Sequence, residues 1–180
     1  MLNIAVLVSG GGTNLQALID SEKAGKIKNG KIALVVSSNA KAYALKRAKN
    51  AEISTEVLLR RSFDRQEAYD EALLSLLGRY QIDLVVLAGF MTIISENVVS
   101  HYQNKIINIH PSLIPSFCGP GYFGLRVHEE ALKRGVKVTG ATVHFVNEVC
   151  DGGPIILQKA VAIQPDDSPQ TLQRRVMEQA

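Results

Sequence analysis

The stretch "NIAVLVSGGGTNLQAL", residues 3–18, decides the class of fold. Asn3–Val8 is a β-rich run without polar/apolar alternation, so both of its faces are covered, as in parallel sheets. Gly10, Gly11 and Gly12 then turn the chain. From Thr13 onward the apolar residues Leu15, Leu18 and Ile19 fall at helical spacing. Strand, glycine turn and helix make the opening of a βαβ unit. The pattern recurs down the chain. "IALVVS" (32–37) leads into a helix over 41–51, and a weaker strand comes next at 53–59. Asp64 is expected to cap the longest helix, whose stripe is Tyr69, Leu73, Leu76, Leu77 and Tyr80. "DLVVLAG" (83–89) is a buried strand, succeeded by a short helix over 96–102 and a strand over 105–109. The expectation is a doubly wound α/β fold with a mostly parallel sheet, in which ligands sit beyond the carboxyl ends of the strands.

The last third differs. "FCGPGYFG" (117–124) reads as a loop and 127–134 as a helix. "VTGATVHFV" (138–146) alternates, with Ala141, Val143 and Phe145 on one face and Thr142 and His144 on the other. "DGGP" (151–154) forms a turn into the strand "IILQKAVAI" (155–163), and Ser168 caps a final helix. This gives the sheet an antiparallel C-terminal portion. The 180 residues are expected to form a single domain, with 1–110 as a phosphate-binding half and 111–180 completing the sheet.

Composition narrows the function. Hydrophobic residues make up 46% and charged residues 21%, and the net charge is +3. The cations are too few and too scattered for a nucleic-acid surface, while a modest positive field suits a small anion. The N-terminus has no basic leader, and no apolar run is long enough to span a bilayer. Two cysteines, Cys118 and Cys150, imply no disulfide framework, so a reducing cytoplasm is expected. The four histidines lack metal-ligand spacing, and no metal is expected. Neither cysteine has a visible basic neighbour to activate it as a nucleophile.

The glycine loop offers backbone N–H groups and a helix N-terminus to an anion. It lacks the third glycine of the dinucleotide fingerprint, where Leu15 stands, and it lacks a P-loop lysine. A monophosphate fits it, as does a plain tight turn with Thr13 as helix cap. In "INIHPSLIPSF" (107–117), strand alternation puts Asn108 and His110 on one face, and Pro111 ends the ladder. An imidazole and an amide there are either a hydrogen-bonded core pair or half of an active site. Asp151 is either a turn former or a carboxylate that favours the charged form of His110. His144 reads as structural.

Four segments, "VLVSGGGTNLQALID", "DLVVLAGFMTIIS", "NIHPSLIPSF" and "VTGATVHFVNEVCDGGPIILQ", occur in the order and at the separations of the phosphoribosylglycinamide formyltransferase family, which the chain closely resembles throughout. The resemblance implies a Rossmann-like formyltransferase fold. It also implies transfer of the formyl group of 10-formyltetrahydrofolate to the amine of glycinamide ribonucleotide in purine synthesis. Asn108, His110 and Asp151 would be catalytic. Gly12, Thr13 and Asn14 would hold the substrate phosphate. Met91, Thr92, Ile93 and Ile94, with Asn108 and with Asn147, Glu148, Val149, Cys150 and Asp151, would line the folate pocket. The partners implied are small molecules, with no nucleic acid or membrane, and the protein would be a monomer or homodimer. Three positions depart from the family pattern. Thr92 and Gln66 stand where members often carry Arg, and a Glu that binds the substrate amine falls on Ala180 or beyond, as in a C-terminally truncated chain. Rivals within the same chemistry are a formyltetrahydrofolate hydrolase or another folate-dependent formyltransferase. Outside it are a nucleotide-binding oxidoreductase and a phosphate-binding module without catalysis.

Overall fold

A computed structural model describes residues 1–179. Seven strands and six α-helices follow one another, alternating as far as β6: β1 (Leu2–Val8), α1 (Thr13–Lys23), β2 (Gly30–Ser37), α2 (Tyr43–Asn50), β3 (Ser54–Val57), α3 (Gln66–Arg79), β4 (Leu84–Leu87), α4 (Glu96–His101), β5 (Ile106–His110), α5 (Leu125–Arg134), β6 (Val138–Phe145), β7 (Ile155–Ala162) and α6 (Pro169–Met177). The strands form one mixed sheet in the order β3-β2-β1-β4-β5-β6-β7. Parallel pairs dominate, and the C-terminal pair β6–β7 is antiparallel. The chain divides into two compact units, Met1–Ile107 and Asn108–Ala180.

In the first unit β1 is central, paired in parallel with β2 and β4. That position explains its sequence, since Ala5, Val6, Leu7 and Val8 are completely buried. Leu15 and Ile19 of α1 and Ala44 and Ala48 of α2 pack into the core beside Val6 and Val8. On α3 the expected stripe holds, with Tyr69, Leu73, Leu76 and Leu77 all buried. Two helix starts differ from expectation. Arg65, not Asp64, is the N-cap residue of α3, and no side chain caps it. Asp64 lies one residue too early for its carboxylate to reach the first turn. At α1 the cap is Gly12, with φ 73°, and Thr13 is the first helical residue.

In the second unit β6 and β7 pair with Ala141 opposite Lys159 and Thr142 opposite Gln158. Gly140 is obligatory there, because a Cβ would run into the Lys159 carbonyl oxygen. Ala141 and Val161 pack with Leu172 and Val176 of α6. A reciprocal Ser168–Thr171 capping box starts α6, as the serine predicted. Asp167 anchors the turn before it through paired bonds to Arg175, with Nη2 donating to Oδ1 at 2.7 Å. The alternation on β6 is real, but its more buried face is the polar one. Thr142 and His144 are 0% and 2% exposed, and their polar atoms are bonded.

Candidate active site

The first unit supplies the glycine loop and the segment after β4. Gly12 adopts the left-handed conformation, and a Cβ on it would meet the Ala44 Cβ at 2.6 Å. Glycine therefore allows the loop to lie flat on α2. Two bonds hold it there: Ala44 N–H donates to the Gly10 carbonyl (3.1 Å), and Arg47 Nε donates to the Gly11 carbonyl (2.8 Å). The first turn of α1 contains no acidic residue and has no side-chain cap. The N–H groups of Thr13 and Asn14 belong to the first turn, which a helix leaves without intrahelical acceptors at the positive end of its dipole, the arrangement an anion requires. Met91 N–H donates to Ser9 Oγ (2.8 Å), bringing the segment 91–94 beside this loop. Met91 and Ile93 are exposed, at 57% and 84%. Thr92 lines a cleft of about 290 Å³ with Ser38, Asn39, Leu59, Arg60 and Arg61. Arg60 donates to Gln66 Oε1 and to the Phe63 carbonyl, each at 2.8 Å. The two arginines give a positive wall where Thr92 and Gln66 carry none, a feature the sequence reading missed.

The second unit gathers Asn108, His110, His144 and Asp151. His110 is buried at 5% exposure. Its Nε2 donates to the Phe117 carbonyl (2.8 Å), and its Nδ1 lies 3.5 Å from Asp151 Oδ2. Both ring nitrogens thus face acceptors, an arrangement suited to the doubly protonated ring. Asp151 has φ 54°, a left-handed value rare for a side-chain-bearing residue. It is held there by Gly119 N–H, which donates to Oδ2 at 2.9 Å. The turn behind it passes so close to β6 that a Cβ on Gly153 would collide with the Phe145 carbonyl oxygen. Burial pushes the Asp151 carboxyl up. The His144 ring, the Gly119 N–H and the charge of His110 outweigh this and hold it below the usual carboxylate value.

His144 is drawn into the cluster rather than being a bystander. Its Nε2 lies 3.2 Å from Asn108 Nδ2 and 3.6 Å from Asp151 Oδ1. The sequence signal was there in outline: His144 shares a strand face with Thr142, which also serves the site. Thr142 Oγ1 donates to the Ser112 carbonyl (2.7 Å) and accepts from Ile114 N–H (3.1 Å) and Gln158 Nε2 (3.0 Å). One hydroxyl so fixes the chain directly after His110. Of the remaining folate candidates, Asn147 Oδ1 accepts from Val149 N–H (3.0 Å), shaping the loop before Asp151. Val149 and Cys150 are exposed on that loop, and so is Glu148. Cys150 Sγ approaches Asp151 Oδ2 at 3.9 Å, and burial followed by the Asp151 charge raises both cysteine thiols, which leaves them poor nucleophiles. The position expected for an amine-binding acid, Ala180, lies outside the described residues.

The family described as formyl transferase matches residues 2–180. Phosphoribosylglycinamide formyltransferase of Escherichia coli (strain K12) is 47% identical over 178 residues, which are 99% of this chain and 81% of that protein. The trifunctional purine biosynthetic protein adenosine-3 of Homo sapiens is 44% identical over 173 residues, 96% of this chain and 16% of that one. The crystal structure of glycinamide ribonucleotide transformylase 1 from Symbiobacterium toebii superposes with a TM-score of 0.92 at 43% identity, covering 99% of this chain and 81% of that one.

Proposed function

The chain belongs to the formyl transferase family, and from that premise we propose that it transfers the formyl group of 10-formyltetrahydrofolate to the primary amine of glycinamide ribonucleotide. The products are formylglycinamide ribonucleotide and tetrahydrofolate. The observation that carries this reading is the convergence of an amide, an imidazole and a carboxylate, Asn108, His110 and Asp151, within one partly buried cluster joined through His144. A neutral amine attacks the formyl carbon, and negative charge develops on the formyl oxygen. An Asn108 amide hydrogen and the protonated His110 ring stabilise that charge. With Nδ1 toward Asp151, it is the Nε2 hydrogen that His110 passes to the departing folate nitrogen as the tetrahedral intermediate collapses, in exchange for its bond to the Phe117 carbonyl. Asp151 orients the ring through its contact with Nδ1.

Gly12, Thr13 and Asn14 hold the substrate phosphate through backbone N–H groups at the start of α1. Met91–Ile94 and Asn147–Asp151 contribute the folate walls. The partners are small molecules, and free thiols at Cys118 and Cys150 are in keeping with a reducing cytoplasm. Among the described residues no helix is long and apolar enough to cross a membrane.

Mixing the protein with 10-formyltetrahydrofolate and glycinamide ribonucleotide, and measuring tetrahydrofolate release, tests the proposal. Release that depends on the amine is expected. Release without it would replace formyl transfer by hydrolysis, and no release with tight NAD binding would point to an oxidoreductase.

A further inference from the structure

We propose that Arg47 on α2 is a positioning residue for the substrate phosphate: bonded to the Gly11 carbonyl, it fixes the Gly11–Gly12 peptide so that the Gly12 N–H points away from α2, toward the anion. The inference rests on the reading of the glycine loop as the phosphate site. Arg47 Nε donates to the Gly11 carbonyl oxygen at 2.8 Å. That peptide bond is trans, and in a planar trans peptide the C=O and the following N–H point in opposite directions. Anchoring the carbonyl on Arg47 therefore turns the Gly12 N–H outward. The preceding peptide is set the same way, because Ala44 N–H holds the Gly10 carbonyl at 3.1 Å and so faces the Gly11 N–H away from α2. Neither N–H has an acceptor among the described residues. Gly10 and Gly11 are exposed, and a Cβ on either would meet nothing within 4 Å, so the outer side of the loop is open to a ligand.

Arg47 is placed for this task rather than for direct contact. Its Nη1 donates to Gln16 Oε1 on α1 at 3.2 Å, and its guanidinium carbon lies 5.0 Å from the centre of the Tyr43 ring. These partners hold the side chain on the carbonyl side of the peptide. A bond from a charged donor also draws electron density out of that peptide, which strengthens the N–H at its other end as a donor. Part of the guanidinium charge thus reaches the anion through the Gly11–Gly12 peptide. The flanking residues explain why an anchor is needed. Glycine on both sides leaves this peptide plane little resistance to turning over. A turned-over peptide would present its carbonyl oxygen to the phosphate and repel it. The first turn of α1 holds no acidic residue, so no carboxylate there competes with the anion for the outward N–H groups.

The test follows the backbone amide and Arg47 Nε–H resonances of the ¹⁵N-labelled protein during titration with inorganic phosphate. It also measures kcat and the KM of each substrate for the unsubstituted protein, Arg47→Met and Arg47→Lys. In the unsubstituted protein, phosphate is expected to move the Gly11 and Gly12 amide protons downfield and to leave Arg47 Nε–H in place. Arg47→Met keeps the bulk and removes the donor. It is expected to raise the KM of the phosphate-bearing substrate roughly tenfold, with kcat and the KM of the folate within about twofold. Arg47→Lys, which keeps a cationic donor for the Gly11 carbonyl, is expected to recover part of that loss. A phosphate response at Arg47 Nε–H without one at Gly12, an unchanged KM in the methionine variant, a lysine variant no better than it, or a loss spread equally over both substrates overturns the proposal. If the methionine variant does not fold, the resonances of the unsubstituted protein still decide. Absence of formyl transfer with the Gly12 response intact overturns the formyl-transfer reading alone, whereas normal transfer with a phosphate response confined to Arg47 overturns this inference alone.

Discussion

Two histidines of the second unit show how burial assigns different work to one side chain. His110 is buried between two acceptors. His128 on α5 is buried at 1% exposure, and neither of its ring nitrogens has a partner among the described residues. Burial, with a smaller contribution from nearby His110, lowers the His128 pKa from 6.5 to about 4. A group depressed in the folded state binds protons more readily when unfolded. The stability it carries is complete above about pH 6.5 and is lost as the pH falls toward 4, amounting to about 3 kcal/mol. Urea melts at pH 7 and pH 4.5 should show this loss, and His128→Leu should flatten it. Asp151 titrates lower, so it stays ionised across that range, and its own contribution is lost only below the usual carboxylate value. For the reaction itself, His110→Ala and Asp151→Asn should each lower kcat by about 10²–10³, the loss expected when one stabiliser of an oxyanion goes. Circular dichroism should show both still folded. Asparagine at 151 retains a side chain tolerant of the left-handed backbone, so the loss reads out charge rather than strain.

At the scale of elements, much was legible in advance, and the failures share a cause. Strand parity put Asn108 and His110 on one face, and the glycines of 151–154 announced a tight turn, because both signals are local. The cap of α3 was misread by one residue, since a capping side chain is recognised by its register and Asp64 falls just outside it. The Phe117 carbonyl that engages His110 was invisible, because a backbone acceptor carries no residue-type signature. His144 was undervalued for a related reason: its partners come from β5 and from the turn after β6, and nothing in its own strand names them. The tight turns give two sharp expectations. Gly153→Ala should cost roughly 3 kcal/mol in a thermal or urea melt, through collision with the Phe145 carbonyl, and should displace Asp151. Gly12→Ala, which combines a left-handed φ with contact against Ala44, should raise the KM for the phosphate-bearing substrate more than it lowers kcat.

For the whole molecule, the order of strands accounts for the surface. Central β1 is apolar through its core-facing length, whereas β7 is the last strand of the sheet and exposes Ile155 (47%), Ile156 (46%) and Leu157 (64%). An apolar edge strand is a template for self-association. Leu157→Lys should therefore reduce concentration-dependent association in light scattering while leaving kcat unchanged. The fold class was readable from the first eighteen residues because a parallel βαβ start demands a crossover and a second parallel strand beside the first. The exposed edge was not, since "IILQKAVAI" reads equally well as an interior strand until its neighbours are known.

The acceptors on either side of the His110 ring also decide how the reaction treats its medium. Formyl transfer takes one hydrogen from the attacking amine and gives one to the departing nitrogen. A ring that gives one hydrogen to the departing nitrogen and takes one back from the amine begins and ends each turnover in the same state. From bound neutral amine to products the transfer exchanges no net proton with the surroundings, and the single-turnover rate of that step is expected to be indifferent to buffer concentration at constant pH.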